Sequence, residues 1–400
     1  MDFIASRINR IKPSPSSMAS QRARELSKSG RDIIGLTAGE PDFDTPPNVC
    51  EAVVRAMAQS RTKYTDVGGT PELKAAIKAK FQRENGLEFA ESEIIAGTGG
   101  KQIVFNALMS TVETGVEVIV PAPYWVSYPD IVLLAGGTPV VVQCPADKGF
   151  KLQPADLERA ITPQTRWVIL NAPNNPSGAV YSRDELLGLA DVLKRHPHVW
   201  VMTDDMYEHV LFDGREFCTM AQVAPELKSR TLTINGVSKA YAMTGWRIGY
   251  GAAPTTLIKA MTKLQSQSTS NPSSISQAAA VEALNGPQAF IAERCAIFQE
   301  RRDTLVAALN RIPGVQCHSP EGAFYLFPSC EQLLGKTTPA GKTLATDEDF
   351  VLYLLDEVNL AVLQGAAYGV SPYFRISFAA SMDVLEQGVA RLAQAVSRLG

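Results

Sequence analysis

The 400 residues contain no CxxC pair, no GxSxG turn, no long apolar run and no stripe of basic side chains, and each absence closes off a class of protein. Six scattered cysteines (Cys50, Cys144, Cys218, Cys295, Cys317, Cys330) make neither a disulfide framework nor a zinc site. They read as buried thiols in a reducing compartment. Only four histidines occur: His196 and His198 where a helix is expected to end, and His209 and His318 in isolation, so no metal site is expected. Without GxSxG there is no nucleophile elbow for a Ser-His-Asp triad. The N-terminus lacks the apolar core of a signal peptide, and no stretch is long enough to span a bilayer. "MASQRARELSKSG" reads as a folded first helix rather than a transit peptide. With a net charge of −3 and dispersed Lys and Arg, there is no electrostatic case for nucleic acid or an anionic membrane. A soluble, cytoplasmic protein is expected.

What the chain does have is apolar mass, 45% hydrophobic against 20% charged, enough for a large core and for two or three domains' worth of chain. A short apolar run, a polar or Gly-rich turn and a helical pattern recur. Candidate strands lie in "SEIIAGTGG" (92–100), "EVIVPA" (117–122), "RWVILN" (166–171), "VWVMTDD" (199–205), "TLTING" (231–236) and "WRIGYGAAP" (246–254). The alternation predicts an α/β architecture around a largely parallel sheet, with ligands gathering at the carboxyl ends of its strands. After residue 287 the texture changes to a long amphipathic helix (288–312), shorter strands in "EGAFYLFPS" and "PYFRISFAA", and a closing helix. The expected division is a large domain at 48–287 and a smaller α+β domain made of 1–47 and 288–400, because "RDIIGLTAGEPDFDTPP" reads as a strand entering a loop.

The predicted strand ends carry "GTGGKQ" (97–102), "PAPYW" (121–125), "NAPNNPSG" (171–178), "TDDMY" (203–207) and "GVSK" (236–239). On one rim they supply a Gly-rich helix start, an aromatic, an asparagine, an acid and a lysine, the parts needed to hold a phosphorylated aromatic cofactor. "GTGGKQ" is either a tight turn or a place where backbone N–H groups and the helix dipole meet a phosphate. It is not a nucleotide P-loop, since no Ser or Thr follows the lysine, and it lacks the later glycine and acid of a dinucleotide fingerprint. Asp204, at the end of an apolar strand, either caps a following helix or holds a pyridinium nitrogen protonated. Lys239, among small neighbours, is either a solvated loop lysine or an amine made nucleophilic by desolvation and a nearby cation. Arg247 can be that cation while gripping a phosphate with its fork.

"NGVSKAYAMTGWRIGY" (235–250), together with "NAPNNPSG", "TDDMY", "AGEPDFDTP" and "PYFRISFAA", resembles the class I pyridoxal-phosphate aminotransferases of fold type I, over nearly the whole chain and with the motifs in order. "GTGGKQ" with "PAPYWVSYP" places the likeness among bacterial aspartate and aspartate/prephenate aminotransferases. The resemblance implies a mostly parallel seven-stranded sheet in the large domain and pyridoxal 5'-phosphate as cofactor. It also implies Lys239 as Schiff-base lysine and proton shuttle. Asp204 would pair with the pyridinium nitrogen, Tyr207 and Asn175 with the ring's phenolic oxygen, and Trp125 would stack on the ring. Gly99, Gly100, Lys101, Ser238 and Arg247 would surround the phosphate. Tyr64 would reach the phosphate of a neighbouring subunit, which implies a homodimer with shared sites. Arg375 would clamp the substrate's α-carboxylate with a backbone contact from Gly39, Trp125 and Asn175 completing that pocket.

For the donor, the resemblance implies L-aspartate, with 2-oxoglutarate as acceptor. An arginine for the side-chain carboxylate is absent from "QSQSTSNPSSISQ" (265–277), and Lys101 matches the lysine that takes over part of that task. Lys12 matches a lysine implicated with prephenate, although the wording after it differs from such members. Aspartate/prephenate, aromatic or broad specificity are therefore alternatives, as is a β-lyase on the same scaffold. A transcription regulator built on such a domain needs a DNA-binding module, for which no spare segment is expected.

Overall fold

The computed structural model describes residues 3–400, Ser16 by its backbone alone. Helix α1 (Pro15–Lys28) opens on a proline, whose missing N–H is an orphan in the first turn anyway, and β1 (Ile34–Gly35) comes next. Helices α2 (Pro47–Ala58) and α3 (Pro71–Asn85) also start at proline. The Thr70 side chain caps α3 by accepting from the Leu73 amide, and left-handed Gly86 closes it.

Strands and helices then alternate as the apolar runs predict: β2 (Ile94–Gly97), α4 (Gly100–Thr111), β3 (Glu117–Ala122), α5 (Ser127–Ala135), β4 (Thr138–Gln143), α6 (Pro154–Ala160), β5 (Thr165–Asn171), α7 (Arg183–Arg195), β6 (Trp200–Asp204), α8 (Met220–Val223), β7 (Thr231–Gly236) and β8 (Gly249–Ala252). The strands form one seven-stranded sheet in the order β2-β8-β7-β6-β5-β3-β4. β8 is antiparallel to both neighbours and the other pairs are parallel. The carboxyl ends of β2, β3, β5, β6 and β7 therefore share one rim. The central strands are buried along their length, which is why they read as unbroken apolar runs. β4, which the sequence pattern does not single out, is one of the two edge strands, and its residues are all exposed or half-buried.

Helices α9 (Thr255–Ser266) and α10 (Ser274–Asn285) lead to α11 (Ala289–Leu309). Beyond it come β9 (Tyr325–Leu326), α12 (Asp347–Val358), β10 (Leu360–Ala361), β11 (Leu363–Gln364), β12 (Phe374–Ser377) and α13 (Met382–Ser397). β1 pairs in parallel with β10, joining Ile34 to Leu360, and β9, β12 and β11 form a small antiparallel sheet. Ile34 and Leu36 share a core with Phe298, Phe324, Phe350, Phe374 and Leu385. Tyr207, Val210 and Phe212 enter the same core, so the segment leaving β6 is gripped by both halves of the molecule.

The inner face of α11 differs from a simple amphipathic stripe. Arg301 and Arg302 are buried beside Phe298 and Leu305. Such charges persist there because each has a two-pronged carboxylate partner: Asp42 at 2.7 and 2.8 Å for Arg301, and Asp213 at 2.6 and 2.7 Å for Arg302.

All six cysteines are free, but only Cys144, Cys317 and Cys330 are buried; Cys50 is exposed, and Cys218 and Cys295 are intermediate. The expectation of uniformly buried thiols is corrected accordingly. Among the described residues, no helix is long and apolar enough to cross a membrane.

Candidate active site

Two glycine positions shape the floor of the site. Gly99, the N-cap of α4, has φ +84°, and a Cβ there would lie 2.3 Å from the Arg247 guanidinium. A Cβ on Gly249 would lie 2.2 Å from the Gly100 nitrogen. Only bare backbone lets β8 and Arg247 come this close to the start of α4, where the free N–H groups and the helix dipole favour an anion. Arg247 itself holds a left-handed φ of +60°, unusual for a side-chain-bearing residue, and donates to the Thr244 carbonyl at 2.8 Å.

Asp204 ends β6 and is buried. The chain turns directly after it without entering a helix, so the capping alternative falls away. Its Oδ2 accepts from the Tyr128 hydroxyl at 2.6 Å, while Oδ1 is buried with no protein partner. Burial pushes the carboxyl above its usual range, against the pull of the Tyr128 hydroxyl and the Lys239 charge. The register that sets Asn171 beside Asp204 lets the Asn171 amide donate to the Asp204 carbonyl at 2.9 Å, fixing the strand end.

Lys239 lies in the turn after β7, half-buried, with its ammonium donating to the Gly39 carbonyl and 5.7 Å from the centre of the Tyr207 ring. Burial first, then Arg247 and Arg375, lower its pKa to about 8. Lys101 is also lowered, by burial and by Arg247, and sits 4.8 Å over the Trp125 ring. Arg375, in β12, is no surface arginine: it is buried between the Tyr325 and Tyr368 rings, at 4.4 and 5.3 Å. It donates to Asn175 Oδ1 at 3.0 Å and to the Thr37 carbonyl at 2.6 Å. The Tyr207 hydroxyl meets that of Tyr325 at 2.7 Å, and burial raises both pKa values, so both stay neutral.

These groups line one cavity of about 390 Å³. Gly39, Gly100, Lys101, Trp125, Asn175, Asp204, Tyr207, Ser238, Lys239, Arg247 and Arg375 all reach its wall, with Gly99 beneath Arg247. Two expected residues do not. Tyr64 is 92% exposed and lines a separate groove with Lys63 and Gln277. Lys12 lines an adjoining cavity of about 450 Å³, which shares Lys101 and Arg247 with the first, and its backbone amide donates to Asp130 at 3.3 Å. Sequence reasoning missed Tyr128, Asn171 and Tyr325, although each lies inside a quoted motif. It also missed Ser17, Ser20, Arg24 and Thr37, which carry no local signal of the cavity.

His209 is not isolated: its Nε2 is 2.9 Å from Glu84 and 3.7 Å from Glu208. The three form a group with ligand atoms within 4.8 Å of one another. A cation already sits among them, since the wholly buried Lys80 ammonium pairs with Glu208 and, at 3.5 Å, with Glu84.

Comparison with known proteins decides the family. Residues 31–395 match the model for aminotransferase class I and II. The chain belongs to the class I and II aminotransferases. It is 57% identical over 392 residues to an aspartate/prephenate aminotransferase of Cereibacter sphaeroides, covering 98% of each chain. It is 56% identical over 395 residues to an aspartate aminotransferase of Rhizobium meliloti, covering 99% of this chain and 96% of the other. The crystal structure of the Rhizobium meliloti aspartate aminotransferase superposes with a TM-score of 0.97 at 55% identity and full coverage of both chains. That of the Thermus thermophilus enzyme with maleate gives 0.92 at 40%, covering 99% of this chain and 100% of the other.

Aminotransferases of this class depend on pyridoxal 5'-phosphate, and the walls of this aminotransferase fit it. Asp204 Oδ1, buried without a protein partner, has the lone pair that a protonated ring nitrogen would need, and the glycine cradle under Arg247 has the backbone N–H groups and the cation that a phosphate would need. Asn175 spends its oxygen on Arg375, so among the described residues its Nδ2 is left to donate into the cavity.

Proposed function

We propose that this aminotransferase moves the amino group of L-aspartate to 2-oxoglutarate, giving oxaloacetate and L-glutamate, in two half-reactions at the one cavity. The observation that carries the reading is the placement of Lys239, an amine of lowered pKa between Arg375 and Arg247, in a cavity whose one lining carboxylate among the described residues is Asp204. The names borne by the relatives support aspartate as donor. Pyridoxal phosphate, when bound, supplies an electron sink for the pair left at the substrate's Cα.

The chain's own groups do the rest. Lys239 carries the cofactor at rest and, once freed, takes the proton from substrate Cα. Asp204 Oδ1 holds a proton on the pyridine nitrogen. Tyr207 and Asn175 donate to the phenolic oxygen, and Trp125 covers the ring face. Gly99, Gly100, Lys101, Ser238 and Arg247 take the phosphate. Arg375 grips the α-carboxylate with its fork, next to the Gly39 carbonyl. In this reading residues 48–287 form the cofactor-binding domain, and 1–47 with 288–400 the smaller one. Exposed Tyr64 completes the site of a second copy in a cytoplasmic homodimer. The double name of the Cereibacter relative, with Lys12 on the adjoining cavity, supports prephenate as a second acceptor.

The test is to titrate L-aspartate into the cofactor-loaded protein without any 2-oxo acid. Full conversion of the resting absorption band, with oxaloacetate formed one-for-one, is expected. Ammonia and pyruvate instead would make it a lyase, and a band that answers only aromatic amino acids would replace the donor.

The lowered pKa of Lys239 gives a pH signature in the cofactor-free protein. The neutral amine, which is the reactive form, accumulates as pH rises toward about 8 and is nearly complete above it. The rate of cofactor uptake is expected to climb and then level near pH 8, as read from the growth of bound-cofactor absorbance. A rate still climbing about tenfold per pH unit toward the ordinary lysine range would mean an unperturbed lysine.

A further inference from the structure

We propose that Arg24 is a specificity-determining residue, a second cation that joins Lys101 in receiving the side-chain carboxylate of a dicarboxylic substrate. The inference rests on the transaminase reading above and names the substrate class of that same site.

Ser17, Ser20 and Arg24 are spaced three and four residues apart on α1, hence on one face, and all three line the cavity. Other positions dock the helix: Ala23 and Leu26 are buried, and Ala19 packs, as Trp125 does, against the cluster of Val126, Phe327 and Tyr368. Ser20 Oγ meets Thr37 Oγ1 at 2.9 Å, and the Thr37 carbonyl is the group that accepts from Arg375. The polar face of α1 is thus tied to the same stretch of backbone that Arg375 holds.

The cations on the wall divide by occupation. Arg375 is bound to Asn175 and Thr37, Lys239 to Gly39, and Arg247 to Thr244 beside the glycine cradle. Lys101 lies over Trp125 at the Arg247 end. Among the described residues, Arg24 alone of these has no hydrogen bond, ion pair or ring contact. Its neighbour Glu25 accepts instead from Gln21, at 2.8 Å. Arg24 is an exposed arginine that lines the cavity without an ion pair of its own, so its fork is open to a carboxylate. With the α-carboxylate on Arg375, a short dicarboxylate presents its second one to the remaining wall. The segment 265–277 has no arginine to offer, and α1 brings one from elsewhere in the chain.

The test compares R24Q and R24K with the wild type in single-turnover half-reactions, read from the cofactor's absorption, with L-aspartate and with L-alanine, and in maleate binding, read from the shift of the same band. R24Q is expected to lower the second-order rate constant for L-aspartate by about 10- to 100-fold, the worth of a charge-assisted pair. Maleate should weaken by a similar factor while L-alanine is unchanged, and R24K should fall between. The alanine reaction doubles as the control for folding. Equal losses on both amino acids, or no loss on either, overturn the inference alone if the wild type uses aspartate. A wild type inert to aspartate overturns the donor assignment and this inference with it.

Discussion

A Lys239→Ala enzyme is expected to lose at least about 10⁴-fold in kcat, the upper end of what a single positioned acid–base group supplies, because on the proposed mechanism the substitution removes the covalent anchor as well as the base. Folding should survive. Lys239 is a half-buried cation facing Arg247 and Arg375, and its lowered pKa records the cost of keeping it charged there. Deleting it relieves that repulsion, so the thermal midpoint of the cofactor-free variant should match or exceed that of the wild type. Lys239→Arg separates charge from basicity: the guanidinium keeps the positive charge but cannot give up its proton, and it should be as inactive as alanine. The measurement is single-turnover proton abstraction from substrate labelled with deuterium at Cα, beside a melting curve. Activity in either variant within about 100-fold of wild type, the lower end for a general base, would move the proton transfer to another group.

The legible part of this molecule was the sheet and its rim. Buried parallel strands have no solvent face, so β5, β6 and β7 stand out as apolar runs, and the polar residues that end them stand out as exceptions. β4 escaped notice because an edge strand with half-exposed residues breaks that signal. Within the site, Lys239, Asp204 and Asn175 were legible because each sits where an apolar run stops. Tyr128 was not, since its role depends on α5 folding back until its hydroxyl meets Asp204, a contact across 76 residues. Arg24 was less legible still: its helix reads as an ordinary amphipathic surface helix, and only the docking of Ala23 and Leu26 turns its other face to the cavity. Lys12 illustrates the reverse case, a residue chosen by likeness to a motif that the fold sets on an adjoining wall.

Asp204→Asn tests the electrostatic half of the site with almost no change of shape. Asparagine can still accept from Tyr128, but it would turn an NH₂ donor toward the ring nitrogen where Oδ1 now offers a lone pair. On the proposed mechanism the nitrogen would then lose the partner that keeps it protonated, and kcat is expected to fall by about 10²- to 10³-fold, as for other fixed groups that stabilise developing charge. Stability should move the other way. Burial raises the pKa of Asp204 in the cofactor-free fold, so the folded state holds that proton more tightly than the unfolded chain. The stability it contributes is present below the unfolded carboxylate pKa and is lost as pH rises through the folded one. Asparagine has no carboxyl proton to lose, so cofactor-free D204N should melt no lower than the wild type at neutral pH and should lack that decline. Transaminase rates and melting curves across pH, taken on the same preparations, check both halves. A variant that melts well but keeps kcat within about tenfold of wild type would leave Oδ1 without an electrostatic role. Slow and stable together would identify Asp204 as a group kept for chemistry at the expense of the fold.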